Sequence, residues 1–190
     1  MSSAQLPILQ VIVPLLAAPL CLLINHKLLN WLFTLLVSGF SFVVAALMLW
    51  QVSDTGPLSY HLGGWIPPYG IEIRVDQLNA FVALLITAIS TLVIASAHTS
   101  LENKKDIAPG KHTYFYVAYL LCFAGLLGIF VTGDAFNLFV FLEISSLSSY
   151  VLIALGRDRR ALWASFQYLV MGTIGATFIL IGIGLLYMKT

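Results

Sequence analysis

Glu143 has the most chemistry to offer in this chain, because it sits in Phe136-Asn137-Leu138-Phe139-Val140-Phe141-Leu142-Glu143-Ile144, an apolar run with no water to hold an ionised carboxylate. If Asp134 marks the membrane surface, the helical rise of roughly 1.5 Å per residue places Glu143 about 14 Å deep, near the middle of a ~30 Å hydrocarbon core. A carboxylate at that depth is costly and normally faces a protein interior or a wet cavity with a partner, so proton or ion handling is its expected role. At about 100° per residue, Ser146 lies roughly 60° from Glu143 around the helix and Tyr150 roughly 20°, so the three share one face where hydroxyls support water. Ser145, Ser148 and Ser149 surround that face less closely. The structural alternative makes Glu143 a neutral acid bonded to a neighbouring hydroxyl, a task that Ser, Thr or Asn fills at lower cost. Asp134 follows Gly133 and is placed to accept the first backbone N–H groups of the span, as a helix cap; proton entry is its other candidate role.

The elements that position these residues follow from composition. The chain has 190 residues, 60% hydrophobic and 9% charged, with a mean hydropathy of +0.97, whereas a soluble domain carries roughly 25% charged residues. The expectation is an all-α polytopic membrane protein in the lipid bilayer. Six apolar runs read as spans, approximately Leu6 to Ile24, Leu28 to Trp50, Gln77 to Ala97, Thr113 to Thr132, Ala135 to Leu155 and Ala161 to Met188, forming a single transmembrane domain over 1–190. The first reads as a retained span and not a signal peptide, since no basic n-region precedes it and no small-residue cleavage site closes it. Pro14 and Pro19 within it each remove a backbone donor, so it is expected to kink or wind irregularly.

Loop charge orients the bundle. His26 and Lys27, then Lys104, Lys105 and Lys111, then Arg157, Arg159 and Arg160 fall on one side, with Arg74 and Lys189 as exceptions among the nine Lys and Arg residues. The positive-inside rule makes that side cytoplasmic and puts the N-terminus outside, in the cell (inner) membrane. Trp31, Trp50, Trp65 and Trp163 at or beyond helix ends fit interfacial anchoring.

The outside connection, 51–76, contains Ile71-Glu72-Ile73-Arg74-Val75-Asp76, which alternates with the period of a half-buried strand after a Pro67-Pro68-Tyr69-Gly70 turn. A short β-hairpin with Tyr60 to Trp65 is expected, as a structural cap. Small residues at Ala83, Thr87, Thr91 and Ala95, at Gly125 and Gly128, and at Gly172 and Ala176 allow close helix approach.

Other chemistry is disfavoured. A net charge of +1 without a basic block gives no reason to expect nucleic acid. Cys21 and Cys122 are far apart and read as packing thiols, so no metal site is indicated. His26, His61, His98 and His112 all lie in loops or at helix ends, where two spans cannot present facing haem ligands. No phosphate loop or Ser-His-Asp arrangement appears, so no cofactor is expected and the chain has no redox centre of its own.

Val131-Thr132-Gly133-Asp134-Ala135-Phe136-Asn137-Leu138-Phe139-Val140-Phe141-Leu142-Glu143-Ile144-Ser145-Ser146-Leu147-Ser148-Ser149-Tyr150 closely resembles the fifth helix of the antiporter-like, proton-translocating membrane subunits. That family includes the Mrp D component of sodium/proton antiporters and the antiporter-like subunits of respiratory complex I and membrane-bound hydrogenases. Gly70 to Phe81, within a similar stretch that starts at Trp65, resembles the approach to the third helix of the Mrp D group. The resemblance extends over essentially all of the chain.

It implies a partial antiporter-like subunit fold, about six helices of roughly fourteen built around inverted five-helix repeats. It also implies that Glu143 pairs with a Lys on a broken seventh helix. Lys189, at the outer end of its helix, cannot stand in for that Lys. The expectation is therefore a fragment, a split gene product or a reduced relative, working with membrane subunits that include a chain or segment supplying the later helices. The leading function is the N-terminal part of an H+-translocating subunit of a multi-subunit cation/proton antiporter, with Na+ as the alternative ion. A subunit of a redox-driven proton pump is the runner-up. An assembly or scaffold subunit without transport is the alternative of another class.

Overall fold

The computed structural model describes residues 5–24, 26–61, 71–104 and 111–189, apart from the side chains of 100–104. Trp65, the Pro67-Pro68-Tyr69-Gly70 turn and Lys105 lie outside the described residues, as does the part of the expected first strand beyond His61. Six helices and two strands run in the order α1 (Leu6–Leu23), α2 (Lys27–Thr55), β1 (Leu58–His61), β2 (Glu72–Val75), α3 (Gln77–Lys104), α4 (His112–Val131), α5 (Ala135–Ala154) and α6 (Arg159–Tyr187). All six helices are long and apolar enough to cross a membrane.

Two helices outrun their apolar cores. α2 continues past Trp50 to Thr55, and α3 past Ala97 to Lys104, because a helix satisfies its own backbone as readily in the headgroup region as in hydrocarbon. The connection after α2 therefore starts at Gly56, whose φ of 89° ends the helix while its N–H still reaches the Val52 carbonyl. Trp50 consequently lies within α2, about a turn before its end.

The hairpin is antiparallel, with Tyr60 opposite Ile73 and His61 opposite Glu72. Its first strand begins two residues earlier than the Tyr60 start expected from sequence. In the second strand Ile73 and Val75 are buried while Arg74 is exposed, the alternation of a strand with one covered face. Those two side chains join Val11, Val44, Met48 and Val131 in a core at the hairpin end of the bundle. Asp76, just before α3, accepts from the Asn79 backbone N–H at 2.9 Å and fixes the strand-to-helix turn.

α4 is the centre of the bundle. It packs on α1, α2, α3 and α5, whereas α6 packs chiefly on α5. Half of its apolar window is buried, against 11% for α5 and for α6. Helix α1 runs unbroken through Pro14 and Pro19, with Pro14 buried. A second core of Ala18, Cys21, Val37, Ile94 and Leu120 closes α1 to α4 at the other end, where the Trp31 Nε1–H donates to the Ile94 carbonyl at 2.8 Å.

Candidate functional site

The start of α5 is held from three directions. Asp134 occupies the N-cap, and its Oδ2 accepts from the Asn137 backbone N–H at 2.8 Å. The Asn137 Nδ2 donates to Thr132 Oγ1 at 2.9 Å, tying the first turn back to the α4–α5 linker. That linker adds to the sheet edge, with Thr132 bridged to Ile73 and the Gly133 N–H donating to the Glu72 carbonyl at 2.8 Å. The other Asp134 oxygen, Oδ1, accepts from the Tyr187 hydroxyl at 2.6 Å, so the far end of α6 is joined to the beginning of α5.

Along α5, glycines on α4 set the packing distance. A Cβ at Gly125 would stand 2.6 Å from the Ser145 backbone nitrogen and 2.9 Å from the Phe141 carbonyl oxygen, and one at Gly128 would run into the Phe141 ring. The serine run divides accordingly. Ser145 and Ser149 face α4, where the Cys122 thiol lies 3.8 and 3.4 Å from their hydroxyls. Ser148 is buried and donates to the Ile144 carbonyl at 2.7 Å.

Tyr150 faces α6. Its ring meets Tyr168 edge-on at 5.0 Å, its hydroxyl lies against Gly172, and its carbonyl accepts from Ser165 Oγ at 2.7 Å. These contacts commit Tyr150 to the α5–α6 seam, which its position on the Glu143 face did not reveal. Glu143 sits near the middle of α5 and is half-buried within this chain. Ser146 is also half-buried, and no hydrogen bond to its hydroxyl or to the Glu143 carboxylate comes from the described residues.

The reason for the partial burial is the lopsided packing of α5. Its glycine-contacting face is covered by α4, and α6 covers a second strip through Tyr150, while Phe136, Val140, Leu147 and Val151 remain exposed. Sequence reasoning gave no part in this site to Cys122, Thr132, Asn137 or Tyr187. Asn137 had a signal, since Asp-x-x-Asn before an apolar run is cap spacing. Tyr187 had none, lying 53 residues from Asp134.

Known proteins resemble this chain in sequence and fold. Residues 132–190 match the family described as NADH:quinone oxidoreductase/Mrp antiporter, transmembrane, a stretch that begins at the linker and contains Asp134, Glu143, Ser146 and Tyr150. The chain is 39% identical over 99% of its length to the N subunit of the NADH-quinone oxidoreductase of Desulforudis audaxviator, covering 37% of that protein. It is 32% identical over 96% of its length to the D subunit of the Na(+)/H(+) antiporter of Bacillus subtilis, covering 36% of it. Among solved structures it aligns with a chain of the Mrp complex from Dietzia sp. at a TM-score of 0.89 and 26% identity, over 100% of this chain and 35% of that one. It aligns with a chain of an archaeal membrane-bound sulfane sulfur reductase at 0.83 and 31%, over 98% of this chain and 38% of that one. The chain thus spans little more than a third of the relatives it matches.

Proposed function

We propose, for a chain that carries over residues 132–190 the transmembrane domain of the NADH:quinone oxidoreductase/Mrp antiporter family, that it forms the first part of an ion-translocating subunit in which Glu143 relays protons. The chain is homologous along nearly its whole length to antiporter-like membrane subunits. The observation that carries the reading is Glu143 itself, a carboxylate midway along a membrane helix whose side α1 to α4 leave partly uncovered. A carboxylate at that depth retains a charge or exchanges a proton only with a cation or water nearby.

In this reading Ser146 supports water beside Glu143, Tyr150 holds α6 against the helix that carries it, and Asp134 fixes the end of that helix. The uncovered faces of α5 and α6 receive further membrane helices, from the remaining two thirds of a full-length subunit or from a companion chain, and these bring the cationic partner. H+ is the transported ion, with Na+ exchanged elsewhere in the assembly. The hairpin end faces outward from the cell (inner) membrane.

The test is Glu143→Gln in the assembled complex. Proton-coupled transport in vesicles should fall to background while assembly persists, and Glu143→Asp should retain part of it. Unchanged transport with Glu143→Gln would overturn the reading and leave a scaffold role. The similarity to an N subunit of an NADH-quinone oxidoreductase and to a sulfane sulfur reductase chain favours a second assignment, to a redox-driven pump whose electron transfer resides in other chains. Co-purification with iron-sulfur subunits separates that assignment from the antiporter.

A further inference from the structure

The turn from α5 into α6 carries Arg157, Asp158, Arg159 and Arg160, all exposed. Three arginines less one aspartate leave a local charge of +2. Among the described residues no carboxylate pairs with any of the three guanidinium groups. Arg159 and Arg160 open α6, and Trp163 follows at four and three residues, so all three share one face of the helix. Phe166 and Gln167 lie one turn below Trp163 on that face, and Val170 and Met171 one turn below them. These side chains are exposed. The Trp163 ring stacks on Phe166 at 6.0 Å, and the five border an open groove of about 540 Å³. The side of α6 that meets α5 is a different one, through Ser165, Tyr168 and Gly172.

From the end of the bundle inward, this stripe reads cation, amphipathic ring, hydrocarbon. A phospholipid in one leaflet has the same order of polarity, from headgroup through the interface to acyl chain, with Trp at the boundary level. The rise from Arg159 to Met171 is about 18 Å, against about 15 Å for half of the hydrocarbon core.

We propose that this end of α6 binds an anionic phospholipid. Arg159 and Arg160 hold its phosphate, Arg157 adds charge from the turn, and an acyl chain lies in the groove along Trp163, Phe166, Val170 and Met171. Charge selects this occupant. The planar guanidinium group bonds phosphate oxygens in pairs, whereas a zwitterionic headgroup would return an ammonium to a site already at +2. A membrane helix would cover the rings and leave the arginines without a counter-charge. The further helices proposed above have the exposed face of α5 and the part of α6 beyond Met171. The lipid site rests on α6 spanning the bilayer, and not on the relay at Glu143.

The experiment is native mass spectrometry of the delipidated complex that contains this chain, titrated with phosphatidylglycerol or phosphatidylcholine, beside a cryo-EM map of the wild-type complex in nanodiscs of the two lipids. Phosphatidylglycerol should bind at least about tenfold more weakly to Arg159→Gln/Arg160→Gln than to the wild type. Lys27→Gln/Lys111→Gln removes two exposed cations at the same end of the bundle and should bind it as the wild type does. Phosphatidylcholine should distinguish none of the three. The map should show a phosphate-sized peak against Arg159 and Arg160 and chain density over Trp163 and Phe166. Equal phosphatidylglycerol affinity in the arginine variant, an equal loss in the lysine variant, or wild-type binding without preference between the lipids would overturn the proposal. A protein helix filling the groove in the wild-type map would do so as well, whether or not the arginine variant assembles.

Discussion

The Tyr187 hydroxyl donates to Asp134 Oδ1 at 2.6 Å while the other oxygen of the same carboxylate caps α5. One side chain thus fixes both the start of the helix that carries Glu143 and the end of the helix packed beside it. Tyr187→Phe removes the tie alone and is expected to cost about 1 kcal/mol. Asp134→Ala also removes the cap and should cost about 1–2 kcal/mol more. Asp134→Asn keeps the cap and should fall between them. Unfolding in detergent, arranged as a double-mutant cycle, measures all three; equal losses for Asp134→Ala and Asp134→Asn would contradict the capping role.

The glycines on α4 and α6 should differ in their tolerance of a methyl group. A Cβ at Gly125 meets backbone atoms of Ser145, which cannot rotate away. Gly125→Ala should therefore separate α4 from α5 and cost about 2 kcal/mol or more. At Gly172 the obstacle is the Tyr150 hydroxyl, the end of a side chain. Gly172→Ala should be milder, and adding Tyr150→Phe should restore part of the loss. Thermal stability of the three variants checks the ranking.

Ile73 anchors the hairpin in the core at that end and bridges to Thr132. Ile73→Ala should lower stability by about 2 kcal/mol and loosen the α4–α5 linker. Hydrogen exchange at the Gly133 amide, now bonded to the Glu72 carbonyl, should quicken. Protection unchanged at Gly133 would show that the linker holds without the sheet.

The positive-inside rule sets the expected sidedness. Ser59 in the hairpin and Arg157 between α5 and α6 are both exposed, at opposite ends of the bundle. In intact cells Ser59→Cys should react with an impermeant maleimide and Arg157→Cys should react only after permeabilisation. The native Cys21 is buried and Cys122 partly so, which keeps the background low. The reverse labelling pattern would invert the topology.

Within the proposed relay, Glu143→Gln should reduce transport by about a hundredfold or more, the scale of losing a positioned proton-transfer group. Ser146→Ala, which removes one water-supporting hydroxyl, should fall well short of that. Proton flux in vesicles, with assembly verified by gel filtration, distinguishes the two; an equal loss from both would assign the effect to packing around α5.

The six helices and the hairpin were legible in the sequence because each rests on local rules. Apolar runs longer than a bilayer is thick must form helices, since no other single-segment structure satisfies its own backbone in lipid. Alternation at Glu72-Ile73-Arg74-Val75 marks a strand with one covered face. Asp134 ahead of an apolar run has the chemistry of a cap. Glu143 stands out by type and depth alone, without any knowledge of what surrounds it.

Tertiary structure decided what each face meets. Helical period gave Glu143, Ser146 and Tyr150 a common face, but only the docking of α6 commits Tyr150 to Tyr168 and Gly172, and only the covering of α5 on one side leaves Glu143 half-buried. Tyr187 reaches Asp134 across 53 residues because α6 returns antiparallel along the full length of α5. The hydroxyls of Thr34 and Ser41 are alike in sequence, yet one bonds within its helix and the other does not. Periodicity fixes the direction in which a side chain leaves its helix. The neighbour it finds depends on helix order and register, which are set by packing between segments distant in the chain.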